Sequence, residues 1–119
     1  MRIAIPVEEP SPQSAVSARF GRAAHLAVWD EATERWEVCS NQSGAEALQG
    51  AGIAAAQLVA GHGADTLLTV NVGPKAYRAL EAAGIAVYLG AAGTAAEALQ
   101  AWREGRLTRA AEANVEGHW

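Results

Sequence analysis

The sequence predicts a three-layer α/β/α domain around a five-stranded mixed sheet. Three observations lead there. After residue 50, short apolar runs alternate with alanine-rich stretches of helical spacing, the pattern of βαβ units with parallel strands. Before it, two strand-like runs are joined only by Asp30-Glu31-Ala32-Thr33-Glu34, a polar connection short enough to close an antiparallel hairpin. Finally, no repeat or linker divides the 119 residues, so one core is expected.

Taken in order, Arg2 to Val7 reads as the first strand, with Ile3, Ile5 and Val7 on one face and Ala4 and Pro6 on the other. Pro6 cannot donate to a ladder and is expected at the strand's end or at a bulge. A polar, proline-containing loop follows over 8–14. His25 to Asp30 and residues 35–41 form the hairpin, with Trp36, Val38 and Ser40 opposite Glu37 and Cys39. A loop over 41–50 precedes a helix over 52–60, whose expected stripe is Ile53, Ala56, Gln57 and Ala60. Gly61-His62-Gly63 stops it. Thr66 to Val70 is the central strand. Pro74 opens the second helix, 74–83, at a position where its missing N–H has no helical partner to lose. Its expected stripe is Ala76, Tyr77, Leu80 and Ala83. Residues 85–89 form the fifth strand and 95–104 the third helix, with Thr94 and Glu97 spaced as a capping box. The weakly patterned tail, 106–119, is expected to be loose.

A consistent sheet order is 3-2-1-4-5 with only the second strand antiparallel. Right-handed crossovers then place the first two helices on one face and leave the third to cover the other. This is ribonuclease H-like topology. The first, fourth and fifth strands end at one edge, where the loops 8–22, 71–74 and 90–94 meet. Ligands bind at the carboxyl ends of strands in such sheets. Two of these loops open helices, whose first turns favour anions. Arg19 and Arg22 add two full charges. The expectation is a pocket for an anion with several oxygens or sulfides; the alternative for each glycine is plain turn chemistry.

Composition narrows the partners. A net charge of −4 gives no electrostatic reason to expect nucleic acid, and no apolar run is long enough to span a bilayer. Met1-Arg2 leads straight into a strand, without the apolar core of a signal peptide, so a cytoplasmic location is expected. A two-metal nuclease needs carboxylates converging at the strand ends, but the fourth strand ends in Asn71 and the first offers only Glu8 and Glu9. Catalysis is therefore not expected; no nucleophile–base pair stands out, and the nearness of Ser17 and His25 in sequence is ordinary. One cysteine excludes an internal disulfide framework. Cys39 reads first as a small buried hydrophobe, with metal ligation as the alternative. His25, near the pocket mouth, and His118, in the tail, are the other candidate ligands; His62 reads as structural. Trp29, Trp36, Trp102 and Tyr88 read as packing residues.

Several motifs together resemble a known family. They are Ile3-Ala4-Ile5-Pro6-Val7, then Val16-Ser17 with Phe20-Gly21-Arg22, then Asn71-Val72-Gly73-Pro74. Ala82-Ala83-Gly84-Ile85 through Val87-Tyr88-Leu89-Gly90 completes the set, and Asn114-Val115-Glu116-Gly117-His118 is touched as well. The chain resembles the dinitrogenase iron–molybdenum cofactor-binding family, which includes small NifX-type carriers and the C-terminal domain of NifB-type proteins. The resemblance implies a ribonuclease H-like fold without nuclease activity. It also implies binding or carrying of an iron–sulfur or iron–molybdenum cluster or its precursor, with a cofactor-assembly protein as partner. The implied binding residues are Ser17, Arg19, Phe20, Gly21, Arg22, Asn71, Gly73, Pro74, Gly90, Gly93 and Thr94. Cofactor-binding members often carry a histidine just before Phe-Gly; Arg19 stands there, so the resemblance carries over the pocket and leaves the metal ligand open. Two alternatives stay open: a binding module for a phosphate- or carboxylate-bearing metabolite, and a regulatory or interaction domain without a ligand.

Overall fold

The computed structural model describes residues 1–41 and 50–115. Residues 42–49 of the expected 41–50 loop, and the tail beyond Val115 with His118, lie outside the described residues.

Strand β1 (Arg2–Val7) sits in the middle of a mixed sheet. Ile3, Ala4, Ile5 and Val7 are fully buried, because β1 is covered on both faces. It pairs antiparallel with β2 (His25–Asp30), which pairs antiparallel with the edge strand β3 (Arg35–Ser40). On its other side β1 runs parallel to β4 (Thr66–Leu68), and β4 runs parallel to β5 (Ala86–Leu89). The order expected for these five strands is the observed one. A sixth strand, β6 (Thr108–Arg109), pairs antiparallel with β5. Its two residues are exposed and carry no apolar alternation, so periodicity did not reveal it.

Pro6 lies inside β1 rather than at its end, opposite Leu26. The β1–β4 ladder finishes at Ala4 and Leu67, so the missing proline N–H breaks no bond there. Beyond that point the Ser17 N–H donates to the Pro6 carbonyl at 2.8 Å and brings the first loop onto the end of β1. Likewise β4 stops at Leu68, two residues before the expected end. Thr69 still donates its N–H to the Tyr88 carbonyl at 3.0 Å, the chain bends at Val70, and the Thr69 hydroxyl donates to the Asn71 carbonyl at 3.3 Å.

Helices α1 (Ala51–Gly61) and α2 (Pro74–Ala82) pack on one face of the sheet. Helix α3 (Ala95–Arg103) covers the other through Ala95, Ala98 and Leu99. Val59 and Leu80 are fully buried in the first layer. Burying a side chain of that size contributes about 2 kcal/mol. The α1 stripe differs from the expected one. Ala51, Ala55, Ala56 and Val59 face inward, and Ile53 is exposed. The two helices approach closely at their first turns: a Cβ built on Gly52 would lie 2.9 Å from the Ala76 Cβ, so the α1–α2 contact there admits only glycine. In α2, Ala76 and Leu80 are buried as expected and Tyr77 half-buried, while Ala83 is exposed past the helix end. Trp29, Trp36, Tyr88 and Trp102 are half-buried on the α3 side, with Tyr88 edge-on to Trp102 at 6.3 Å.

Candidate functional site

The three expected loops do meet at the carboxyl edge of β1, β4 and β5. The first loop lies between the other two. The Asn71 Nδ2 donates to the Ala18 carbonyl at 3.0 Å, and the Val16 N–H donates to the Gly93 carbonyl at 2.9 Å. What the loops offer a ligand differs sharply from one to the next.

The α3 end is already occupied by the protein. The Ala95 and Ala96 N–H groups donate to the carbonyls of Ser14 and Pro12, both at 3.1 Å. The Glu97 N–H donates to the Thr94 hydroxyl at 3.1 Å, while the Glu97 carboxylate accepts the Thr94 N–H at 3.0 Å. The capping box expected from Thr94 and Glu97 is thus present. It consumes the amides that would otherwise attract an anion. Gly90 and Gly93 line a separate cavity of about 310 Å³ with Ala92, Glu97, Arg106 and Leu107.

Helices α1 and α2 are capped differently. Each is preceded by glycine, Gly50 and Gly73, and among the described residues neither has a side-chain cap. First-turn N–H groups have no intrahelical acceptor, so two such ends side by side concentrate partial positive charge. They are side by side: a Cβ added to Gly52, in the first turn of α1, would lie 2.9 Å from the Cβ of Ala76, in the first turn of α2. Pro74 opens α2 as expected. Against them packs a 3-10 turn, Phe20–Arg22, with Arg19 at its N-cap and Arg22 at its end. A Cβ on Gly21 would lie 2.7 Å from the Gly52 nitrogen, so only glycine lets the turn approach the α1 terminus this closely. Phe20 anchors the turn in the core at 3% exposure, and the buried Ser17 hydroxyl hydrogen-bonds the Arg19 main chain at 3.4 Å.

The structure therefore brings Ser17, Arg19, Phe20, Gly21, Arg22, Asn71, Gly73 and Pro74 to one place. Gly90, Gly93 and Thr94 belong to the capped α3 end instead. Four contributors were not among the expected site residues. Gly50 and Gly52 set the α1 end, and a glycine just before an alanine-rich helix is the signal that was there to use. Lys75 is exposed in the first turn of α2 and adds a third cation. Asn114 accepts the Val72 N–H at 2.7 Å and pins the 71–74 loop from the far end of the chain.

Of the candidate metal ligands, His118 lies outside the described residues and His25 stands at the carboxyl edge of β1. His25 begins β2 opposite Val7. Cys39 is half-buried on the α1 side of β3, its thiol donating to the Leu26 carbonyl at 3.6 Å. Burial, and then the Glu37 carboxylate, push that thiol above its ordinary pKa, which opposes thiolate formation. His62 sits at the α1 C-cap with its Nδ1 3.4 Å from Glu37, a structural position. Among the described residues, no group of three or more His, Cys, Asp or Glu side chains stands close enough to hold a metal ion. Nor is any described helix long and apolar enough to cross a membrane.

Comparison with known proteins agrees with this fold. The apo form of the orange protein from Desulfovibrio gigas superposes with a TM-score of 0.92 at 44% identity, covering 96% of each chain. A NifB candidate from Thermotoga, of the DUF35 family, gives a TM-score of 0.85 at 37% identity over 98% of each chain. An uncharacterised Methanocaldococcus jannaschii protein is 26% identical over 113 residues, 92% of this chain and 91% of that one. Residues 1–105 match the family described as dinitrogenase iron-molybdenum cofactor, and the chain belongs to that family.

Proposed function

We propose that this chain is a non-enzymatic carrier of an anionic metal cluster, of iron–sulfur or iron–molybdenum type, or of its precursor. One observation carries the reading: two helix N-termini, neither with a side-chain cap among the described residues, lie close together beside the 19–22 turn. Arg19, Arg22 and Lys75 add charge to that end of the sheet. The arrangement supplies N–H donors and cations, not metal-ligating side chains. A cluster held there keeps its own sulfide or oxide ligands and is gripped through them, with guanidinium forks suited to pairs of acceptor atoms. Family membership and likeness to a protein described in its apo form support a bound cargo. The cofactor-assembly partner follows from the same reading, since a carrier must receive and deliver.

The test is anaerobic reconstitution with iron and sulfide, with and without molybdate, followed by elemental analysis. Charge-transfer absorption and retained metal are expected, both reduced in Arg19→Ala/Arg22→Ala. A colourless protein without metal in every arm overturns the reading.

A second reading has its own observation. Arg19 stands where cofactor-binding members often have histidine, which suits a phosphate- or carboxylate-bearing metabolite at the same site. Saturable phosphate binding without metal uptake would select it.

A further inference from the structure

We infer that Asn114 is a positioning residue for the anion site, acting through Asn71 to hold the 3-10 turn against the two helix ends. The inference rests on the anion-site reading above for its function but not for its geometry.

The geometry is a chain of hydrogen bonds whose directions are fixed at both ends. A backbone N–H can only donate, so Asn114 Oδ1 must be the acceptor for Val72 at 2.7 Å. Its Nδ2 is then a donor, and it reaches Val70 O at 3.3 Å and Asn71 Oδ1 at 3.0 Å. With Asn71 Oδ1 accepting, Asn71 Nδ2 must donate, and it does so to Ala18 O at 3.0 Å. A backbone carbonyl can only accept, so the relay closes without an ambiguous amide. The Asn114 N–H adds a fifth bond, to Val72 O at 3.1 Å.

The position calls for an amide. Val70 O and Val72 N–H are two residues apart on one edge of the segment leaving β4, the spacing that the N–H and C=O of one residue on a parallel neighbouring strand would meet. Asparagine presents a donor and an acceptor together, as a peptide does. It thereby extends the pairing past the end of β4 and leaves one donor for Asn71. Ala18 immediately precedes Arg19, the N-cap of the turn. A residue 95 positions after Arg19 thus sets where the guanidinium-bearing turn sits relative to α2.

The test uses the full chain, hydrogen exchange in its unliganded state, and molybdate as the probe anion by calorimetry. In Asn114→Ala, exchange should rise about threefold to tenfold at Val72 and also at Arg22 and Ala23, whose amides close the turn. Molybdate affinity should fall by a similar factor. The Asn71→Ala/Asn114→Ala double variant should be no worse than the worse single one, because both break one relay. Asn114→Asp keeps the acceptor for Val72 and loses the donor to Asn71. It should leave Val72 protected and still loosen Arg22 and Ala23, an outcome that general destabilisation would not produce. Exchange at Arg22 and Ala23 unchanged in both variants would overturn the inference. If the wild type ignores molybdate while the exchange pattern holds, the relay stands and the carrier reading is what fails.

Discussion

Replacing Gly21 by alanine adds one methyl group at the tightest contact of the site. The new Cβ would stand 2.7 Å from the Gly52 nitrogen, 2.9 Å from its Cα and 3.0 Å from the Ala51 carbonyl carbon. All three are backbone atoms of the first turn of α1, so no rotamer change relieves them. Reaching ordinary contact at 3.4 Å requires the turn and the helix end to separate by about 0.7 Å. Overpacking of this kind costs about 1–3 kcal/mol. The separation also pulls the 3-10 turn from the uncapped amides, so anion affinity should fall with stability. Urea unfolding gives the first quantity and molybdate calorimetry the second. Gly61→Ala is the internal control. Gly61 lies in α1 with nothing within 4 Å of its added Cβ, so the same substitution should be neutral or stabilise by up to about 1 kcal/mol. A Gly21→Ala protein as stable as the wild type would refute the close-approach reasoning.

Other outcomes follow from the same geometry. Thr94→Ala removes the α3 cap and should cost about 1 kcal/mol in urea unfolding, with anion affinity unchanged because that helix end faces protein acceptors. Cys39 holds its proton more tightly folded than unfolded, so its contribution is complete below the ordinary thiol range. Stability should decline as pH rises through about 8.5 and beyond, and thiolate absorbance should appear later in the folded protein than in urea. Asp30 is held below the usual carboxylate range by the Ala32 N–H first, with help from Thr33 and Arg2; Glu31 is lowered by Arg103 and then the Trp29 indole. Their stabilisation is present above the ordinary carboxylate pKa and fades as pH falls below about 4, which acid titration by circular dichroism would detect. Asp30→Asn should flatten that acid limb.

Much of this architecture was legible in the residues. Alternation in β1 and β3, the short polar hairpin connection, Pro74 as a helix opener and the Thr94–Glu97 spacing are local signals with one physical meaning each. Together with handed crossovers they fix the order of five strands and the side each helix covers. Where the reading departed from the molecule, the deciding contact was distant in sequence. The first turn of α1 is met by Ala76 and Gly21, and alanine-rich periodicity is too flat to show the inward stripe of that helix. Strand β6 is held by backbone bonds to β5 that no side-chain pattern announces. The site was half legible. Glycine and proline at the end of β4 pointed to a helix terminus open to anions. That α3 spends its amides on Pro12 and Ser14 depends on the path of a loop some eighty residues earlier, which composition does not encode.

The account turns on which helix ends receive an anion. A molybdate titration followed by amide chemical shifts tests this directly. It predicts saturable shifts centred on Gly52, Gly73, Lys75 and Ala76, with Ala95 and Ala96 unmoved. Shifts centred on Ala95 and Ala96, or no saturable shifts near α1 and α2, would contradict it.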